Sequence, residues 1–219
     1  MIYYSNNYYI CVMNVLANLG NIPVSSATIG SLYADIRGKN QKISELEKAN
    51  EIIRLKRGLY VVSPEVSGKI ISTELIANHI YGPSYISRQS ALRYYGLIPE
   101  AVYTMQSMTI KHSRDFNNHF GRFEYLFCSQ NYFSIGITQI VKDNYSFVIA
   151  TPEKALCDLI ACTPKLNLRY QKETFTFLEE DIRFDMDEFF KMNVNIFRQC
   201  AKYGKKKTMI NALIKILER

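Results

Sequence analysis

EIIRLKRGLYVVSP, residues 51–64, sets two apolar, β-branched runs, 52–55 and 59–62, on either side of Lys56, Arg57 and Gly58. The pattern predicts a tight β-hairpin, with Gly58 supplying the positive φ that a short hairpin loop requires. Arg54, Lys56 and Arg57 then crowd its tip. Like charges on a small turn repel one another and add nothing to a core, so folding does not explain them. They point to a polyanionic partner.

Upstream, the chain reads as three short helices. Ile10, Met13, Leu16 and Ala17 recur at helical spacing until Gly20 and Pro23 end the element. With Ser25 or Ser26 as cap, Ile29, Leu32, Tyr33 and Ile36 form a second apolar stripe that stops at Gly38. A third helix from Asn40 buries Ile43, Leu46 and Ala49, although Ser44 with Glu47 also spells a capping box. Three helices followed by a β-ribbon is the order of a winged helix-turn-helix, with the RGKN turn joining helices two and three. In that motif the second helix of the pair enters the major groove. The assignment makes Lys39, Gln41, Lys42, Ser44, Glu45 and Lys48 candidate base or phosphate contacts, and places Arg54, Lys56 and Arg57 of the wing against phosphates or the adjacent minor groove. The competing reading is a solvated hairpin on a helical domain with no nucleic acid. Helix order and charge placement together favour DNA.

The 219 residues are 47% hydrophobic with a net charge of +7, a composition that supports a packed core rather than wholesale disorder. Within the first third the cations Arg37, Lys39, Lys42, Lys48, Arg54, Lys56 and Arg57 face only Glu45, Glu47 and Glu51 over the same stretch. Such a basic cluster is the electrostatic footprint of a nucleic-acid binder. SPEVSG, residues 63–68, reads as a linker, dividing a DNA-binding domain at 1–66 from an α+β domain at 67–219. Cys11, Cys128, Cys157, Cys162 and Cys200 form no CxxC pair, which favours free thiols in a reducing cytosol. The stretch YYICVMNVLANLGNIPVSSA has the outline of a signal peptide but lacks a positive n-region, and Asn14, Asn18 and Asn21 interrupt it. No run is long and apolar enough to span a bilayer. The expected location is cytoplasmic.

Downstream, Ile71, Leu75, Ile76 and Ile80 mark an amphipathic helix closed by YGP, residues 81–83. PSYISRQSALRYYGLIPE, residues 83–100, predicts a short strand, a helix over 87–95 with Ser87 as its cap, and Gly96 in the C-terminal cap position. Residues 104–148 alternate as MQSMTIKHS, GRFEYLFCS, GITQIVKDN and YSFVIA, whose short connections predict an antiparallel sheet. In ATPEKALCDLIACTP, Thr151 caps, Pro152 takes the first helical position, and Ala155, Leu156, Leu159 and Ile160 form the buried stripe. The remainder is mostly helical and ends in the basic segment KYGKKKTMINALIKILER.

Enzymatic signatures are sparse. Glu153 and Asp158 are five residues apart, roughly 140° around a helix of 3.6 residues per turn, so they diverge rather than converge on a metal. Lys154 and Asp158 form an i, i+4 pair instead. His79, His112 and His119 lie in three different elements without ligand spacing, and no Walker loop, GxSxG or HExxH occurs. The expectation is a non-enzyme with no catalytic residue, no metal and no cofactor. The 16 Tyr and 12 Phe include NNYY and RYYG, which could stack on single-stranded bases, but most alternate with polar residues or recur at helical spacing and read as core.

Three blocks, IIRLKRGLY, PSYISRQSALRYYGLIPE and ATPEKALCDLI, stand in an order and spacing that resembles the AbiEi family of type IV antitoxins over about residues 10–165. The resemblance implies a bacterial abortive-infection (phage-defence) toxin–antitoxin system. It implies a transcriptional regulator with an N-terminal winged helix that represses its own operon by binding inverted repeats of double-stranded DNA. It further implies a C-terminal domain that counteracts a cognate nucleotidyltransferase-like toxin. The alternative is a stand-alone winged-helix regulator with a sensing or dimerising C-terminal domain, and a third class is an RNA-interacting adaptor. Lys202, Lys205, Lys206 and Lys207 mark a possible basic surface near the C-terminus, against the commoner reading of a solvated helix face.

Overall fold

The computed structural model describes residues 14–218. The chain is α+β and divides into two compact units between Ile71 and Ser72. Ile10, Met13, Cys11 and the NNYY stretch lie outside the described residues.

The first unit opens with a 3₁₀ turn, Val15–Leu19, in which Asn14 caps by accepting the Leu16 N–H. Strand β1 (Val24–Ser25) leads into helix α1 (Ser26–Ser31), with Ser25 as its cap: its hydroxyl accepts the Thr28 N–H at 3.0 Å. The predicted second helix is shorter than its apolar stripe. After Ser31 the chain turns, and Leu32 and Ile36 are exposed while only Ile29 is fully buried. Helix α2 (Lys39–Lys48) follows Gly38 and buries Ile43 and Leu46, while Ala49 is an exposed C-cap. The hairpin is β2 (Ile52–Lys56) and β3 (Leu59–Val62), with Gly58 at φ +77°. Strand β1 adds to β3, giving an antiparallel sheet in the order β1-β3-β2. Leu16, Ile29, Ile43, Leu46, Ile52, Tyr60 and Val62 form the core beneath it. Residues 63–68 are not a simple linker. Pro64 starts a helical turn, α3 (Pro64–Ser67), that packs on the 3₁₀ turn and brings Val66 to the core.

In the second unit, α4 (Thr73–Ile80) precedes β4 (Ser84–Ile86), with a cis bond at Gly82–Pro83 between them. Helix α5 (Arg88–Tyr94) leads to β5 (Thr104–Thr109), then β6 (Arg114–Asn118) and β7 (Gly121–Phe127). A helical turn α6 (Gln130–Phe133), strands β8 (Ile137–Val141) and β9 (Ser146–Ala150), and helix α7 (Pro152–Cys162) complete the central layer. The sheet is mixed rather than antiparallel, in the order β6-β7-β5-β4-β9-β8. β5 runs parallel to β7, and β4 parallel to β9. The cause is β6, whose RDFNN composition gives little strand signal. It takes the sheet edge, and β7 folds back between it and β5. Neighbouring residues on a strand point to opposite faces. Accordingly Tyr125 donates to the carbonyl of Ala77 on α4, while Glu124 beside it pairs with Arg88 of α5. The chain closes with α8 (Gln171–Thr176), a π-helical turn, the short α9 (Met186–Phe189), α10 (Val194–Tyr203) and α11 (Lys207–Leu217). No helix among the described residues is long and apolar enough to cross a membrane.

Candidate nucleic-acid interface

Burial of Ile43 and Leu46 turns the other side of α2 outward. Gln41, Ser44, Glu45 and Lys48, at i, i+3, i+4 and i+7, share that exposed face, and Lys39 is exposed at its start. Lys42 lies to one side, half-buried, with Nζ 5.3 Å from the Tyr33 ring centroid. Gln41 Nε2 donates to Glu45 Oε1 at 3.2 Å. The two side chains thus hold each other across one helical turn, with polar atoms facing outward.

The hairpin delivers its cations unequally. Arg54 pairs with Glu47 at 2.5 Å and lies 5.6 Å from the Tyr60 ring centroid, and this hydrogen bond raises the guanidinium pKa further. Lys56 is half-buried. Arg57 is exposed at the tip and makes no ion pair among the described residues. The register shifts between Arg54 and Lys56, so Leu55 is buried within the bulge.

These elements meet around a concavity of about 320 Å³, lined by Ser26, Asn40, Ile43, Ser44, Arg54, Arg57, Gly58 and Tyr60. The hydrogen bond from Ser26 N–H to Gly58 O, at 2.9 Å, fixes the start of α1 against the hairpin loop. Of the residues singled out by sequence as contacts, Ser44, Arg54 and Arg57 converge here, whereas Gln41, Glu45 and Lys48 continue along the exposed face of α2. Asn40 and Ser26 are the additions. Asn40 entered the sequence reading only as a helix start and Ser26 only as a possible cap, because their place beside the hairpin depends on how α1 and α2 pack against it.

The C-terminal lysines have different immediate surroundings. Lys202 is exposed over the Tyr203 ring, Lys205 rims a cavity between α7 and the end of α10, and Lys206 donates to the Thr163 carbonyl at 2.5 Å. Lys207 opens into a different groove.

The second unit carries a buried ionic cluster that the sequence marks only as an i, i+4 pair. Lys154 and Asp158 are both fully buried, with Nζ 3.5 Å from Oδ1. Lys154 Nζ donates to the Tyr132 carbonyl at 3.0 Å and sits 2.9 Å from the Tyr132 ring centroid. Asp158 Oδ2 accepts from Tyr85 at 3.0 Å and Ser87 at 2.6 Å. Ser87 therefore occupies the N-cap position of α5 without capping, because its hydroxyl is committed to Asp158. Burial, and then the Asp158 carboxylate, push the Tyr85 phenol far above its usual pKa and keep it a donor. Glu153 points elsewhere, accepting the Asn193 N–H at 2.9 Å.

Nearby thiols are free: Cys128, Cys157 and Cys200 are buried and Cys162 half-buried. Burial raises Cys157, and a hydrogen bond from it lowers Cys200. His79 Nδ1 lies 2.9 Å from the Leu75 carbonyl, while His112 and His119 are exposed. Among the described residues no three His, Cys, Asp or Glu side chains are grouped to hold a metal ion. No protein-family model and no curated protein matches the chain.

Proposed function

We propose that this protein is a DNA-binding antitoxin of the AbiEi type that represses its own toxin–antitoxin operon and counteracts a nucleotidyltransferase-like toxin. The observation that carries the DNA-binding half is the convergence of the α1 start, the first turns of α2 and the hairpin loop on the concavity of Arg54, Arg57, Asn40 and Ser44. The order helix, short strand, helix, helix, hairpin, with β1 completing the sheet, supports reading the first unit as a winged helix. On that reading α2 enters the major groove, where Gln41, Ser44, Glu45 and Lys48 face base edges and Lys39 the backbone. Arg57 and Lys56 of the wing meet phosphates on the flank. Glu47 orients Arg54 toward the same edge. The antitoxin half rests on the three sequence blocks quoted above, two of which supply the buried cluster of Ser87, Lys154 and Asp158.

The test is a fluorescence titration of the full chain against a duplex from its own promoter at several salt concentrations. Replacing Lys56 and Arg57 with Ala weakens binding to every sequence and shallows the log–log salt slope by about 0.9 per lost phosphate contact. Replacing Gln41 changes sequence preference, by ~1–3 kcal/mol if it reads a base. An unchanged slope in the wing variant overturns the assignment.

A second reading, a stand-alone regulator whose second unit senses a ligand, is favoured by the cavity of about 500 Å³ lined by Met108, Leu126, Cys128, Tyr132, Cys162 and Lys205. Its size is that of a small-molecule site. A toxin reading frame beside this gene, and growth rescue on co-expression with it, separate the two.

A further inference from the structure

The N-terminal end of α8 and one face of α11 enclose a groove of about 760 Å³ in the second unit. Its walls carry Arg169, Lys207 and Lys215, none of which makes an ion pair among the described residues. The carboxylate in the lining, Glu218, is already paired with Arg198 outside the groove. Glu173 sits at the rim, its carboxylate accepting the backbone N–H groups of Arg169 and Tyr170, so the groove keeps a net excess of cations, with Lys207 and Lys215 away from that carboxylate along α11. Tyr170, 68% exposed, lines the same groove, together with Gln171, Asn211 and Thr208. Lys207, Asn211 and Lys215, at i, i+4 and i+8, and the C-cap Glu218 put this chemistry along α11, with the buried Ala212 and Ile214 also in the lining and Ile210, Leu213 and Ile216 buried away from it. The apolar face holds the fold and leaves the polar face free.

We propose that this groove binds single-stranded nucleic acid, with a base stacked on Tyr170 and the backbone phosphates tracked by Arg169, Lys207 and Lys215. Cations at intervals along a groove suit any polyanion, but an uncovered aromatic ring in the same groove is the requirement of an unpaired base. An acidic peptide has no use for that ring. A duplex keeps its bases stacked on one another and offers Tyr170 no face. The site is separate from the concavity on the first unit and does not depend on what that concavity binds.

The test uses the full chain carrying Lys56→Glu and Arg57→Glu, so that duplex binding through the hairpin is suppressed. A labelled oligouridine and a labelled oligothymidine are titrated by fluorescence anisotropy, with an unlabelled poly-glutamate competitor. Binding of either strand is expected, and the tighter one identifies RNA or DNA as the source. Tyr170→Ala weakens it about tenfold, as loss of one stacked base does, while Tyr170→Phe retains it. The exposed pair Lys207→Ala and Lys215→Ala lowers the salt slope by about 0.7 for each lost phosphate contact on a single strand. Circular dichroism confirms folding, and the lysine variants decide the matter if Tyr170→Ala does not fold. No binding, binding indifferent to both sets of variants, or poly-glutamate displacing the strand at equal residue concentration overturns the proposal.

Discussion

Changing Asp158 to Asn keeps the shape of the side chain and an oxygen that accepts from Tyr85 and Ser87, and replaces the charged oxygen facing Lys154 with an amide NH2 that cannot accept from it. Both partners are fully buried, and Asp158 Oδ1 meets Lys154 Nζ at 3.5 Å without a hydrogen bond of its own. What remains for the ammonium is the Tyr132 carbonyl at 3.0 Å and the face of its ring. An uncompensated buried charge of this kind costs about 3–5 kcal/mol. For a unit of this size each kcal/mol moves Tm by roughly 2–4 °C, so the transition of the second unit falls by roughly 6–20 °C. Lys154→Met leaves the carboxylate, which retains both hydroxyl donors, and costs less. The double variant, Lys154→Met with Asp158→Asn, recovers part of the loss, because neither charge is left alone. Coupling of about 0.5–3 kcal/mol is expected between contacting residues. Urea unfolding of the four proteins, followed by far-ultraviolet circular dichroism, closes the cycle. If Asp158→Asn costs less than about 1 kcal/mol, the cost of a typical neutral hydrogen bond, or if the single effects simply add, then Lys154 is not a buried cation held by Asp158. The reasoning then fails.

Gly204 ends α10 against Tyr132, and a Cβ there would stand 2.5 Å from Tyr132 Cε2 and 2.6 Å from the Cys200 carbonyl. Gly204→Ala therefore overpacks the site and destabilises by about 1–3 kcal/mol, a loss that thermal melting measures; an unchanged Tm refutes the close approach. Burial pushes the Cys128 thiol from 9.0 up to about 11 and raises the Tyr125 phenol likewise. The native state thus holds protons that the unfolded chain releases once pH passes 9, so stability is complete below that value and falls as pH rises toward 11. Urea midpoints at pH 8, 9 and 10.5 check the direction, and Cys128→Ser, which removes the thiol, makes the decline shallower.

Local chemistry determined the hairpin, the caps of α1 and α7 and the basic character of the first unit. Gly58 is needed wherever two β-branched runs close so tightly, and Thr151–Pro152 starts α7 whatever packs on it, because a cap and a missing N–H act within one turn. The exposed face of α2 was legible from its spacing for the same reason, except at Lys42, which is half-buried, and Ala49, which is exposed. Tertiary structure decided the rest. Strand order depends on which edges meet, and nothing local in RDFNN shows that β6 takes the rim and leaves β7 parallel to β5. Leu32 and Ile36 keep the apolar spacing of a helix that stops at Ser31. Lys154 reads in sequence only as the i, i+4 partner of Asp158, and helical spacing says nothing of whether the pair is buried. Its burial, the turn of the Ser87 hydroxyl away from capping, and the placement of Asn40 and Arg57 around one concavity all depend on groups from distant parts of the chain. The energy of those contacts resides in pairs the fold assembles, and no single segment carries it.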